Sequence, residues 1–513
     1  MRIELKTQDN SRLSWHRLSA GWWAGKVYRH GKWLSHQEVD GLLQNAVSVA
    51  DVKRLLSEWN GHFALLWSKE DLHLAATDIG RSIPIFWKVA DGLVTIGDQP
   101  DSSGQVSWWQ QNKALEQAEF IPGHATLWQG WQQLQAGELL EVKNGLCYIH
   151  NYFPHRRPKG SSAPAAEIKS RFNSLLEDVF DRFVQFADGR PIVLPLSGGY
   201  DSRIIAAALH RNGYPNLKAF TYGQTGSIEA KIGEEVASKL GIDWQFVPYD
   251  STVLSSFGQD DWKQYATYAA KGCALPQEQD YFALQQLSKN EWLEAGSIIS
   301  PGYCGDFQAG SYLPGPQLPW PPNRKKRLKE QLLNRFLRQP NDLLRQAWQP
   351  QLPKEEIQDE HQYVSELEHW VLREYVSKYI VNGVRAYEWF NCSWYLPLWD
   401  REFITFWQTV PNDYRKNMQL YREVLAEYWF EPYNIQFAED NLPPSSSFSP
   451  GTWLPPSWKN RLKSYLPSKQ TTNINGLQQL IPLIQEQLSW PNTDLSKSVN
   501  EMIGHWYHDF INK

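Results

Sequence analysis

The chain has 513 residues, too many for one ordinary domain, so two or more are expected. Hydrophobic residues make up 42% and charged residues 21%, a globular balance that excludes a largely disordered chain. A formal net charge of −5 with no long basic run argues against a surface that coats nucleic acid.

The first residues, "MRIELKTQDN", lack the features of a signal peptide. Residues 59–98 hold four short apolar or alternating runs, HFALLW, LHLAAT, PIFWKV and LVTIGD, with polar turns between them. They read as successive antiparallel strands and make residues 1–152 an antiparallel, sandwich-like domain. Residues 153–167, "FPHRRPKGSSAPAAE", read as a linker. A helical run, "IKSRFNSLLEDVFDRFVQF", opens the second domain, residues 168–513. Three strand candidates follow, PIVLPL, LKAFTYG and WQFVPYD, with helical runs between them. This βαβαβ pattern predicts an α/β fold with a doubly wound parallel sheet. "GSIIS" at 296–300 is a further strand candidate before a glycine-containing turn, and "NRKKRLKE" at 323–330 reads as the start of a solvated helix. Helical signals dominate beyond residue 320, and residues 361–390 keep an apolar recurrence of three and four. Residues 443–457, "PPSSSFSPGTWLPPS", read as a loop or a lid. No apolar run is long enough to span a membrane.

Cysteine is scarce: Cys147, Cys273, Cys304 and Cys392 are far apart and form no C-x-x-C. That argues against a zinc site, an iron–sulfur cluster or a disulfide framework, and predicts a cytoplasmic protein. The 26 tryptophans serve cores, interfaces and the binding of planar or sugar faces alike.

The sharpest signal is "PLSGGYDSRIIAAAL", residues 195–209. An apolar strand runs into Ser197-Gly198-Gly199-Tyr200-Asp201-Ser202, and a helix-spaced run follows. Backbone N–H groups at such a turn, with the positive end of a helix, hold phosphate. The glycines allow close backbone approach. Asp201 caps the helix or holds Mg²⁺. The ending is not that of a Walker loop.

Ser-Gly-Gly-x-Asp-Ser after a buried strand resembles the pyrophosphate loop of the ATP pyrophosphatases. "WNGHFALLW…ATDIGRSIPIFW" resembles the glutaminase-type domain of class B asparagine synthetases, an Ntn-hydrolase-like domain. "GYCGDFQAGSY", residues 302–312, is similar to their G-E-G-A-D-E-L-F-G-G-Y, and "RAYEWFNCSWYLPLWD" to their segment ending in P-F-L-D. The resemblance implies a nucleotide site in which Leu196 and Tyr222 flank adenine and ribose. Ser197, Gly198, Gly199, Asp201 and Ser202 surround the phosphates, Gly302 contributes backbone, and Asp306 joins Asp201 at Mg²⁺ as the catalytic pair.

Departures from the family carry their own implications. Family members that use glutamine place a cysteine directly after the initiator methionine. Arg2 stands there here, so the first domain is expected to be a scaffold without its nucleophile, as in the β-lactam synthetase branch. Thr7 and Ser11 become terminal nucleophiles only after processing. Tyr303 and Phe307 replace two family glutamates, and the late Arg-x-Lys has no counterpart in "NIQFAEDNLPPSSSF". Arg415 and Lys416 lie near another basic position and read as surface charges. The implied activity is ATP-dependent adenylation of a carboxylate, releasing pyrophosphate, followed by attack of nitrogen and loss of AMP. The acceptor is aspartate or a sugar uronate of surface-polysaccharide synthesis. The nitrogen is free ammonia, an amine, or ammonia from a separate glutaminase. The sequence leaves the oligomeric state open, a homodimer being one option, and neither nucleic acid nor membrane is expected as partner. The competing expectation is a non-catalytic nucleotide-binding scaffold. A tRNA-thiolating pyrophosphatase is disfavoured by the missing reactive cysteines and basic surface.

Overall fold

The computed structural model describes residues 2–7, 12–158, 163–313, 323–338, 342–441, 475–489 and 498–512. The fold is α/β, with largely antiparallel sheets first (only β1, Arg2–Lys6, joins its neighbour in parallel), a parallel sheet with helices after them, and helices toward the end.

The N-terminal strands are Arg2–Lys6 (β1), Trp15–Leu18 (β2), Gly21–Arg29 (β3), Lys32–Trp33 (β4), Asn60–Lys69 (β5), Leu72–Thr77 (β6), Phe86–Ala90 (β7), Leu93–Gly97 (β8), Trp131–Gln133 (β9), Glu138–Lys143 (β10) and Leu146–Asn151 (β11). They form two sheets. One runs β11-β10-β6-β5-β3-β2, with β4 on β3, and the other β1-β8-β7-β9. The four runs at 59–98 are antiparallel strands, but as two hairpins in different sheets: β5 pairs with β6, and β7 with β8. Strand periodicity predicts an extended segment, not its sheet. β5 is buried from His62 to Trp67 on both faces, which accounts for its nearly unbroken apolar run. The helix His36–Gln44 begins with a capping box between Ser35 and Glu38.

Residues 153–158 have no regular element, as expected of a connection, yet they are not a free linker. His155 and Arg157 are buried. Arg157 donates to the carbonyls of Trp407 (2.9 Å) and Val410. The helix Ala165–Ala187 then buries Ile168, Phe172, Leu176, Val179 and Phe183, a stripe at helical spacing.

Five parallel strands follow: Ile192–Pro195 (β12), Leu217–Gly223 (β13), Asp243–Pro248 (β14), Ile298–Ile299 (β15) and Ser393–Trp394 (β16). Their spatial order is β14-β13-β12-β15-β16. Chain order therefore reverses between β12 and β15. In such a sheet, the carboxyl ends of the two strands flanking the reversal leave an open crevice. The helical stretch from 360 to 389 is continuous but not uniform. Glu360–Val371 is α-helical, Leu372–Ile380 widens to π-helical turns, and Val381–Val384 tightens before Arg385–Trp389. The basic run at 323–330 does open a helix, Arg324–Phe336, whose buried side is Leu328, Leu332, Leu333 and Phe336. Residues 443–457 lie outside the described residues.

One hydrophobic cluster joins both regions, from Trp23 and Leu65 to Tyr265, Tyr387 and Trp506. The final helix, Val499–Ile511, returns to the N-terminal region: a Cβ on Gly504 would stand 2.3 Å from the Leu115 carbonyl.

Candidate active site

A cleft of about 850 Å³ opens at the reversal between β12 and β15. The loop after β12 supplies Leu196, Ser197, Gly199, Asp201 and Ser202, and the end of β13 supplies Tyr222. The loop after β15 supplies Gly302, Tyr303 and Asp306. Two segments 100 residues apart in sequence thus meet because their strands are neighbours in the sheet.

The loop is ordered by its own hydroxyls. The Ser197 N–H donates to Ser202 Oγ (3.1 Å), and the Gly199 N–H donates to Ser197 Oγ (3.2 Å). Gly199 is the N-cap of the helix Tyr200–Arg211 with φ −73° and ψ 159°, an ordinary extended conformation. Its glycine character is not needed for backbone geometry; a Cβ would meet Ser197 Oγ at 3.2 Å. Gly198 is half-buried, with its N–H bonded to Glu229 Oε2. At Gly302 the requirement is close approach: a Cβ would stand 2.7 Å from the Ser202 nitrogen and 3.0 Å from Asp201 Cβ.

Asp201 does not cap its helix. The cap is Gly199, and the Asp201 carboxylate turns across the cleft, accepting from Tyr421 OH (2.7 Å) and from the Asp306 N–H (3.0 Å). Burial and the neighbouring Asp306 push Asp201 up to about 7, against the pull of those donors. Burial likewise pushes Asp306 up, although Ser311 and the Phe307 N–H donate to it. Among the described residues no Lys or Arg forms an ion pair with either. Two adjacent carboxylates facing a cleft without a balancing cation fit a hard divalent ion, which takes one or two carboxylates and leaves its other positions to water and phosphate. No group of three or more His, Cys, Asp or Glu joined as metal ligands occurs among the described residues.

Tyr303 and Phe307, either side of Gly305, have different surroundings. Phe307 is core, edge-on to Tyr312. Tyr303 faces the cleft, its hydroxyl 3.4 Å from Asp280. Asp280 also accepts from Tyr387 OH (2.5 Å) and Tyr222, and burial raises its carboxyl above the usual range. Tyr222 stacks on Tyr249 at 4.9 Å.

Arg415 is not a surface charge. It is 1% exposed, holds Glu368 with two nitrogens (2.6 and 3.1 Å) and donates to the Gln308 carbonyl. Lys416 is half-exposed, pairs with Asp413 at 2.6 Å, and is the one basic side chain lining the cleft among the described residues. Beside it Asn417 and Met418 are both left-handed, with φ 54° and 57°. Such backbone is costly for residues with a Cβ and is retained where the surroundings impose it.

Sequence reasoning missed Glu229, Asp280, Tyr303 as a cleft residue, and Tyr421. Glu229 had a usable signal, since it lies in the first turn after the strand LKAFTYG. Tyr421 had none, because it lies 220 residues from the Asp201 it meets.

Residues 172–255 match the asparagine synthase family model. That segment contains β12, β13, β14, the Ser197–Ser202 loop and Tyr222, whereas Gly302 and Asp306 lie beyond it. No curated protein matches the chain. Among solved structures the chain is similar to the glutamine phosphoribosylpyrophosphate (PRPP) amidotransferase from B. subtilis complexed with ADP and GMP. The two share 12% identity over 48% of this chain and 75% of that one, with a TM-score of 0.19. No helix among the described residues is long and apolar enough to cross a membrane.

Proposed function

We propose that the protein is an asparagine synthetase-like, ATP-dependent amide-forming ligase. The observation that carries this reading is the meeting of the Ser197–Ser202 loop with the Asp201–Asp306 pair at the sheet reversal. The family match over residues 172–255 supports it.

In this reading a substrate carboxylate attacks the α-phosphorus of ATP, forming an acyl-adenylate and releasing pyrophosphate. Nitrogen then attacks the acyl carbon, and AMP leaves with the electrons of the acyl–oxygen bond. Leu196 and Tyr222 flank the adenosine, and the Ser197, Gly199 and Ser202 region receives the phosphates. Asp201 and Asp306 hold Mg²⁺, whose chemistry when bound is to neutralise charge on the departing pyrophosphate. Lys416 supplies a further positive charge to the same phosphates. The cleft volume lies in the upper part of the range for small-molecule sites, which leaves room for a second reactant beside the nucleotide. The acceptor is aspartate or a sugar uronate, and the nitrogen comes from ammonia or an amine. Residues 1–152 act as a glutaminase-like domain without its nucleophile.

The test is ATP–pyrophosphate exchange with Mg²⁺ and ammonium across a panel of amino-acid and uronate carboxylates. Carboxylate-dependent exchange, with AMP as the nucleotide product, is expected for at least one of them. Formation of ADP instead would refute the reading. Tight ATP binding without exchange on any carboxylate would favour the non-catalytic scaffold.

A further inference from the structure

We propose that Glu229 is a resident anion of the phosphate loop. Its carboxylate occupies the place of a ligand phosphate at Gly198 and must be displaced before a polyphosphate binds. The inference rests on the phosphate-loop reading above.

The Gly198 N–H donates to Glu229 Oε2. Glu229 comes from the first turn of the helix Ile228–Leu240, which Ser227 caps. Its carboxylate is therefore held near two positive features, a helix N-terminus and a loop amide, which are what a phosphate would seek. The contact is close: a Cβ on Gly198 would stand 2.9 Å from Glu229 Oε2. The acid lines the cleft with Ser197, Gly199 and Asp201, and no Lys or Arg among the described residues forms an ion pair with it.

An amide N–H makes one good hydrogen bond. It cannot hold a carboxylate and a phosphate together. A phosphate at Gly198 would also lie within a few ångströms of the carboxylate charge, in a cleft where water screens poorly. Glu229 thus keeps the loop in shape and opposes any polyanion that enters. This makes it an affinity-determining residue, with a sign opposite to that of Asp201 and Lys416. Removing its charge should improve phosphate binding.

Pyrophosphate binding, measured by calorimetry on the full chain in magnesium buffer, tests this. Glu229→Gln keeps the size and an acceptor for the Gly198 N–H but removes the charge. Glu229→Ala removes both. Both variants should bind inorganic pyrophosphate roughly tenfold more tightly than the unsubstituted protein. Glu229→Gln should also keep the melting temperature. Unchanged or weaker pyrophosphate binding in Glu229→Gln, with binding by the unsubstituted protein intact, would overturn the proposal alone. Absence of both pyrophosphate and Mg·ATP binding in all three proteins would overturn the phosphate-loop reading and this inference with it.

Discussion

Buried acids behave differently in two regions of the molecule. Where the N-terminal region meets the helical stretch at 360–389, Glu374 and Glu138 are answered by cations. Glu374 accepts from the Gly123 N–H at 3.0 Å and pairs with Lys378 at 2.6 Å. Lys378 is fully buried and also donates to the carbonyls of Ile121 and Gly123. Burial pushes Glu138 up, but His124 at 2.9 Å and Arg373 more than reverse it and hold the carboxyl below its usual range. In the cleft, Asp201, Asp306 and Asp280 are pushed upward, and only neutral donors reach them. A buried charge costs several kcal/mol unless it is paired, so unpaired buried acids facing a cleft are candidates for holding a ligand. The contrast separates acids paired with a cation from acids that only neutral groups reach, and burial pushes Glu278, outside the cleft, up to about 7 as well.

The largest expected effect is at Asp201. Asp201→Asn should lower the rate of pyrophosphate release by roughly 100-fold or more, because a hard cation loses a charged oxygen ligand. It should do so without loss of stability. Burial and the neighbouring Asp306 push Asp201 up to about 7 in the folded protein, well above an unfolded aspartate, so its contribution is fully present below about pH 4 and fades as pH rises toward 7. Asn does not titrate. The variant should therefore melt higher than the unsubstituted protein at pH 8, and the gain should vanish at pH 4. Lower melting at both values would place Asp201 among the structural acids.

The opposite behaviour is expected at Lys378. Lys378→Met leaves Glu374 buried without its cation and should cost about 3–5 kcal/mol in urea unfolding. Pyrophosphate affinity of the folded fraction should stay unchanged. A selective loss of affinity there would mean that the two regions are coupled, and the comparison above would fail.

The smallest effect is expected at Lys416, which is half-exposed and screened. Lys416→Ala should weaken pyrophosphate binding roughly tenfold, with a shallower dependence on salt. Identical salt dependence in the two proteins would return Lys416 to the surface role that its sequence context suggests.

Much of this arrangement was legible in the residues. The Ser197–Ser202 loop falls at a strand-to-helix turn, as "PLSGGYDSRIIAAAL" indicates, because an abrupt change from a buried run to helical spacing is a local signal. The parallel βαβαβ unit was legible for the same reason. Misreadings arose where the outcome depends on distant neighbours. Arg415 and Lys416 are adjacent and chemically alike, yet one is buried on Glu368 and the other lines the cleft. The packed course of 153–158 was likewise invisible, since its Pro and Arg content is that of a solvated connection until Trp407 and Val410 are brought against it.

By itself, then, the sequence determined which segments are strands and helices and that a glycine-containing turn joins β12 to the next helix, because periodicity and turn chemistry act between residues close in the chain. Only the tertiary structure decided which acids are paired, that Asp201 turns away from its own helix toward Asp306, and that Glu229 reaches Gly198. Those outcomes depend on the order β14-β13-β12-β15-β16, which brings the loops after β12 and β15 to one crevice, and on burial that removes water as a partner for the charges found there.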